Sequence, residues 1–161
     1  MLPNGLFGHF FGPHEGQRND SFMLNESMIL EPCAEHAVRE GTDENSMDED
    51  RYFQLFGDPA YGVSAHIQSP FSGVGNRTAL QKEWNELMSG VRIEVEHGFG
   101  IVSNTWPFLN AGWKMHLAAS PVGHYYWVGV LLTNGIDCLH LNQVAQAFDC
   151  QPPELKNYFH H

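Results

Sequence analysis

YFQLFGDPAYG, residues 52–62, is the stretch on which the reading of the fold turns. Tyr52, Phe53, Leu55 and Phe56 around a single Gln54 predict a short buried strand. Gly57-Asp58-Pro59 ends it, because glycine and proline both break a ladder and Asp favours the turn that follows. A carboxylate at the C-terminal edge of a strand stands where α/β proteins gather the groups that act on ligands. Asp58 is therefore the first candidate functional residue, and the elements on either side decide what it can work with.

Downstream, residues 66–71 read as a second short strand, followed by a glycine-rich loop through Asn76. Thr78, with Gln81 three residues on, makes a capping box for a helix through Met88. Gly90 is expected to break that helix, which resumes to about Trp106 and is stopped by Pro107. On the second segment Val91, Val95, Phe99 and Val102 are spaced by three and four and face a core. Arg92 and Glu96, also four apart, form a neighbouring stripe that can look onto the strand carrying Asp58. The run PVGHYYWVGVLLTNGIDCL, residues 121–139, is apolar nearly all round and predicts a buried helix to about Asn134. Beyond it, residues 135–161 read as a short helix from Asn142 and an extended strap through QPPELKNYF.

Upstream, Pro3-Asn4-Gly5 signals a turn and residues 6–11 a strand, so the chain opens on a hairpin turn whose first strand is expected to be missing. Asp20 occupies an N-cap position before a helix with Phe22, Leu24, Met28 and Ile29 on its apolar face. That helix runs towards Val38, kinked or split by Pro32.

With 161 residues, 42% of them hydrophobic, the chain is expected to form a single domain with a real core. Nineteen acids against eight Lys and Arg give a net charge of −11, which excludes any grip on a phosphate backbone by charge alone. Glu40, Asp43, Glu44, Asp48, Glu49 and Asp50 crowd into a stretch without a base and predict a solvated loop. Cys33, Cys138 and Cys150 form no CxxC pair; they read as reduced, buried thiols of an intracellular protein. A zinc site from Cys138, His140 and Cys150 is the alternative. The sequence shows neither a signal peptide nor an apolar run of about 20 residues for a membrane span.

Hydrolysis of a phosphodiester by two divalent ions needs several carboxylates converging on metals about 3.5–4 Å apart. Hard oxygen ligands suit Mg²⁺ or Mn²⁺. Asp58 at a strand end and Glu96 on a later helix supply two such ligands from different elements. Among 19 acids such pairs are common, and the motifs around these two sharpen the choice.

GDPAYG, residues 57–62, resembles the strand-end motif G-D-x-x-Y of the DDE-superfamily endonuclease domain of harbinger-type transposases, and RIEVEHGFG, residues 92–100, is similar to that family's R-x-x-x-E-x-x-F-G helix. The resemblance implies that Asp58 is the second catalytic acid and Glu96 the third, both as metal ligands. Glu94 does not keep the family's distance to Arg92 and Phe99. GPHEGQRNDSFMLNES, residues 12–27, resembles the segment G-x-x-x-G-x-x-x-D, with Asp20 as its acid and a possible support to the site. WPFLNAGWK, residues 106–114, is similar to the stretch after the catalytic helix. The resemblance covers about residues 3–134 and implies a ribonuclease-H-like α/β fold, truncated at its N-terminus, with helices packed on a small mixed sheet. It also implies that the first catalytic Asp lies upstream of these residues. The expectation is thus a partial, transposase-derived endonuclease domain, weak or inactive alone, acting on DNA in the nucleus. The competing expectation is a non-enzymatic module that associates with another chain through an exposed sheet edge.

Arg92 is suited either to steady Glu96 through an i, i+4 pair or to contact a phosphate. Trp84, Phe99, Trp106, Phe108, Trp113, Tyr125, Tyr126 and Trp127 are expected mostly in the core rather than stacked on bases. His97 reads as a solvent-facing helix residue, and Ser64 with His66 lacks the acid a hydrolase triad needs.

Overall fold

The computed structural model describes residues 1–12, 19–73, 75–110 and 121–160. The chain divides into two compact units, one formed by residues 14–92 and the other by residues 1–13 with 93–161. The described part is helix-rich and mixed, with one small parallel sheet, an arrangement compatible with the α/β class.

In the unit of residues 14–92, helix α1 (Asp20–Glu26) is capped by Asn19, whose side chain accepts from the Phe22 amide at 2.8 Å. The cap expected at Asp20 is one residue earlier, and Asp20 opens the helix instead. Helix α2 (Leu30–His36) follows after a break. The break falls at Met28, which adopts φ 54°, and not at Pro32. Pro32 sits in the first turn of α2, where its missing N–H costs nothing. The acidic stretch closes on itself through an antiparallel bridge of Val38 with Tyr52, and it contains one helical turn, α3 (Asp48–Arg51).

Strand β1 (Leu55–Phe56) pairs in parallel with β2 (Ile67–Gln68). The sheet is parallel where a mixed one was expected. Leu55 and Phe56 are exposed, so the buried strand anticipated here is not formed. Two residues in a two-stranded sheet leave both faces open, and only Ile67 of β2 is buried. Phe56 leans on Trp84 of helix α4 (Ala79–Thr105), ring centroids 6.5 Å apart. The capping box holds: the Thr78 amide donates to Gln81 Oε1 at 2.9 Å and the Gln81 amide to Thr78 Oγ1 at 3.3 Å. Gly90, expected to break the helix, lies inside its 27 residues.

In the other unit the turn at residues 3–5 is present, with the Gly5 amide on the Leu2 carbonyl at 2.9 Å and Gly5 at φ 80°. Residues 6–11 are not paired as a strand. Asn134 takes the place of a neighbouring strand: its Oδ1 accepts from the Phe7 amide at 2.9 Å and its Nδ2 donates to the Phe7 carbonyl at 3.0 Å. Both backbone groups of a buried residue are thereby satisfied by one side chain. The core gathers Phe7, Val102, Leu109 and Val130, with Met1, Phe10, Trp106 and Tyr126 against it. On the α4 face the packing position next to Val102 is Gly98 rather than the expected Phe99, because Phe7 and Met1 lie where a side chain at 98 would go. Phe99 is 48% exposed.

Helix α5 (Val122–Leu139) reverses the expectation of an apolar interior helix. Its buried positions are Gly123, Gly129, Val130, Thr133, Asn134, Gly135 and Asp137, while Trp127, Val128, Leu131, Leu132, Ile136 and Leu139 are exposed. Small residues admit close approach; at Gly129 a β-carbon would stand 3.0 Å from Leu109. Hydrogen bonds then satisfy the polar ones, Thr133 by accepting from Trp106 Nε1 at 3.0 Å and donating to the Gly129 carbonyl at 2.8 Å. Helix α6 (Gln143–Ala147) is capped by Asn142, and the strap beyond carries a further turn, α7 (Leu155–Tyr158), whose Tyr158 hydroxyl accepts from Asn134 at 2.9 Å.

Candidate catalytic carboxylates

The strand-end motif forms a tight corner held by hydrogen bonds. Gly57 is buried, and a β-carbon there would stand 2.9 Å from the Tyr61 ring and 3.1 Å from Ile67. Asp58 follows in extended conformation and caps the 3₁₀ turn Pro59–Tyr61, its Oδ1 accepting from the Ala60 amide at 3.1 Å. Pro59 opens that turn, where a preset φ helps and no N–H is needed. The Asp58 carbonyl accepts from the Tyr61 amide at 3.0 Å and from Ser69 Oγ at 3.0 Å. Backbone and side chain of Asp58 are fixed from both ends of the corner.

Helix α1 docks on this corner through Ser21 Oγ, which donates to the Ala60 carbonyl at 2.8 Å. Arg92 reaches it from α4, with Nη2 3.1 Å from Asp58 Oδ2 and both side chains a little over a third exposed. The Tyr61 hydroxyl senses all of them. Burial raises its pKa most, the charges of Asp20 and Asp58 raise it further, and Arg92 opposes them. Three of the sequence-derived residues, Asp20, Asp58 and Arg92, thus share one neighbourhood around Tyr61.

Glu96 is exposed and lies one helical turn past Arg92 on α4. No ion pair joins Arg92 to Glu96; the guanidinium is committed to Asp58 instead. Glu94 is 3.5 Å from His97 Nδ1, whereas Glu96, like Glu83 and Glu86 of the same helix, is in no ion pair among the described residues. His97 is exposed, as expected of a helix residue facing water. Ser64 Oγ accepts from the His66 and Ile67 amides at 3.3 and 3.2 Å, so its role is to shape the turn before β2.

The expected buried thiols are each only partly buried, and none is in a disulfide. No group of three or more His, Cys, Asp or Glu gathers for a metal among the described residues, which removes the zinc alternative of Cys138, His140 and Cys150. No helix among the described residues is long and apolar enough to cross a membrane. Of the aromatics expected in the core, Trp106 and Tyr126 pack there, whereas Trp84, Phe99, Phe108, Tyr125 and Trp127 are exposed and Trp113 lies outside the described residues. The sequence reading missed Ser69 as the clamp on Asp58.

Two carboxylates offer oxygen donors of the right hardness for Mg²⁺ or Mn²⁺. One Asp58 oxygen is bonded to a backbone amide and the other to a guanidinium, and no group of three or more His, Cys, Asp or Glu gathers for a metal among the described residues. As they stand, these residues do not fit the pair of ions that phosphodiester hydrolysis by two metals requires.

Fold and corner together define a helix-rich α/β protein with an acid capping the end of a strand and an arginine-bearing helix folded back on it. The chain belongs to the DDE superfamily endonucleases, whose family model matches residues 1–134. Endonucleases of this family generally use divalent metal and act on DNA. No curated protein and no solved structure matches the chain.

Proposed function

We propose that this chain is a transposase-derived endonuclease domain of the harbinger type, with a ribonuclease-H-like fold, in which Asp58 and Glu96 are the second and third acids of a site for Mg²⁺ or Mn²⁺. What supports this reading is the 3.1 Å pairing of Asp58 with Arg92, which ties the strand-end motif to the helix motif one turn before Glu96. Asp20 and Arg92 act as supports, the first from the corner's flank and the second on Asp58 itself.

Two acids hold two ions poorly, so the 161-residue chain by itself is expected to cut DNA weakly or not at all. With a net charge of −11 it is also expected to need a separate DNA-binding part, and it works in the nucleus. A plasmid nicking assay with Mn²⁺ tests this. Little or no nicking by the wild type is the expected result. Brisk nicking abolished by Asp58→Asn would uphold the site and overturn the inactivity; nicking that survives both Asp58→Asn and Glu96→Gln would remove the site.

One observation favours a second reading, an interaction module without catalysis. Within the unit of residues 14–92 an open groove of about 760 Å³ is lined by Phe53, Phe56, Phe71, Leu80, Trp84 and Leu87, with Leu80 78% and Leu87 64% exposed. Apolar surface gathered in this way marks association sites. Light scattering on wild type and Leu87→Ser would show a larger species lost in the variant; a wild-type monomer at all concentrations would sink self-association.

A further inference from the structure

We propose that α5 is the contact through which two copies of this chain pair, antiparallel and about a two-fold axis at Leu132. The pairing needs neither the acids of the strand-end corner nor the groove of the unit of residues 14–92.

α5 turns its small and polar side chains inward, against the core, and so leaves its large apolar ones outside. Tyr125, Val128, Leu132, Ile136 and Leu139 are exposed, from 38% at Ile136 to 61% at Leu139. Spaced by three, four, four and three along a helix of about 3.6 residues per turn, they fall within about 80° of arc and form one stripe. Phe108, whose ring centroid is 6.2 Å from that of Tyr125, adds to it at one end, and Leu131 adds to it at the flank. The face offers roughly 600 Å² per copy, so a pair buries about 1,200 Å², the lower end of what specific complexes bury.

Two observations select a second copy as the occupant. The spacing of the stripe reads the same in both directions from Leu132. Antiparallel copies therefore bring Leu132 against Leu132, Val128 against Ile136 and Tyr125 against Leu139, with each apolar side chain facing another. A patch that complements itself in this way is what a two-fold contact requires. The other observation is charge. Each chain carries −11, which opposes self-association wherever acids meet. The stripe holds no Asp, Glu, Lys or Arg, and the one acid of α5, Asp137, is buried on the opposite side of the helix. Copies can meet there without bringing like charges into contact. The same composition disfavours a lipid surface, since helices that lie on membranes carry Lys and Arg along their polar face and α5 has neither.

Sedimentation velocity of the full chain over a range of concentrations tests the pairing, with circular dichroism to confirm folding. Wild type is expected to pass from monomer to dimer, and Leu132→Asp, which sets two like charges on the axis, to weaken the dimer at least about 100-fold. Val128→Glu and Ile136→Lys are each expected to weaken it as well. Combined in one chain they are expected to restore it to within about tenfold of wild type, because each Glu then faces a Lys of the other copy, whereas the two stand about 12 Å apart along their own helix. Wild type that stays monomeric at all concentrations overturns the proposal, and so does a monomer that sediments with phosphatidylcholine vesicles. A dimer that survives Leu132→Asp but is lost in Leu87→Ser belongs to the groove and overturns it too. Single variants that weaken the dimer without rescue in the double variant overturn the antiparallel register. Should Leu132→Asp fail to fold, the variants at 128 and 136 decide.

Discussion

At Gly57 the chain has room for a hydrogen and nothing larger. A β-carbon would press on the Tyr61 ring at 2.9 Å, at a point close to the backbone where the ring cannot swing aside. Gly57→Ala is expected to destabilise the protein by about 1–3 kcal/mol, the usual toll of overpacking, and to displace the turn that aims Asp58. Urea unfolding followed by circular dichroism measures the first effect; an unchanged midpoint would mean the corner has slack. The end of the strand at Gly57-Asp58-Pro59 was legible in the sequence, because glycine and proline both break a ladder. The partner of Arg92 was not. Spacing alone offered Glu96 four residues away, and the choice of Asp58 depends on how the chain folds back after β2, which no local pattern encodes.

Helices with sharp ends were the easiest elements to read, and those with unusual faces the hardest. Thr78, Gln81 and Pro107 bracket α4 as the sequence suggested, since caps and prolines act locally. Gly90 did not end it: the helix has strong neighbours on both sides, and a lone glycine carries a penalty of only about 1 kcal/mol. Nothing lies within 4 Å of a β-carbon built at Gly90. Gly90→Ala is therefore expected to stabilise the protein by about 0.5–1 kcal/mol, seen as a raised urea midpoint at constant slope. A lowered midpoint would show that a bend at this position is needed. For α5, hydropathy reported an apolar helix correctly and its orientation wrongly. Asn134 and Thr133 are buried because each satisfies its polar atoms on a neighbouring segment, and a one-dimensional pattern carries no record of those partners. Strand β1 failed for a related reason, since a run of apolar residues is buried only where another layer covers it.

Across the whole molecule, the family was readable because its motifs rest on spacings, while burial and ion pairing were not because they rest on tertiary partners. The same dependence sets how stability responds to pH. Asp137 is 7% exposed on the inner face of α5, and burial raises its carboxyl pKa, an effect partly offset by a hydrogen bond from Asn142. Asn142 in turn donates to the Gly5 carbonyl at 3.2 Å and caps α6, so the acid sits in the junction that holds the N-terminal turn to the C-terminal helices. A folded-state carboxyl that holds its proton more tightly than the unfolded chain loses stability as pH rises from the ordinary value of about 3.9 through the raised one. Above that window the loss is complete and constant, because both states are ionised. Asp137→Asn keeps the shape and a group able to accept from Asn142 while removing the charge. It is expected to raise the melting temperature at pH 7, with the gain shrinking as pH falls towards 4 and the native carboxyl regains its proton. Calorimetry of both proteins at several pH values checks this, and a melting-temperature difference that stays constant across the series would show that burial of the charge is not what opposes folding at this junction.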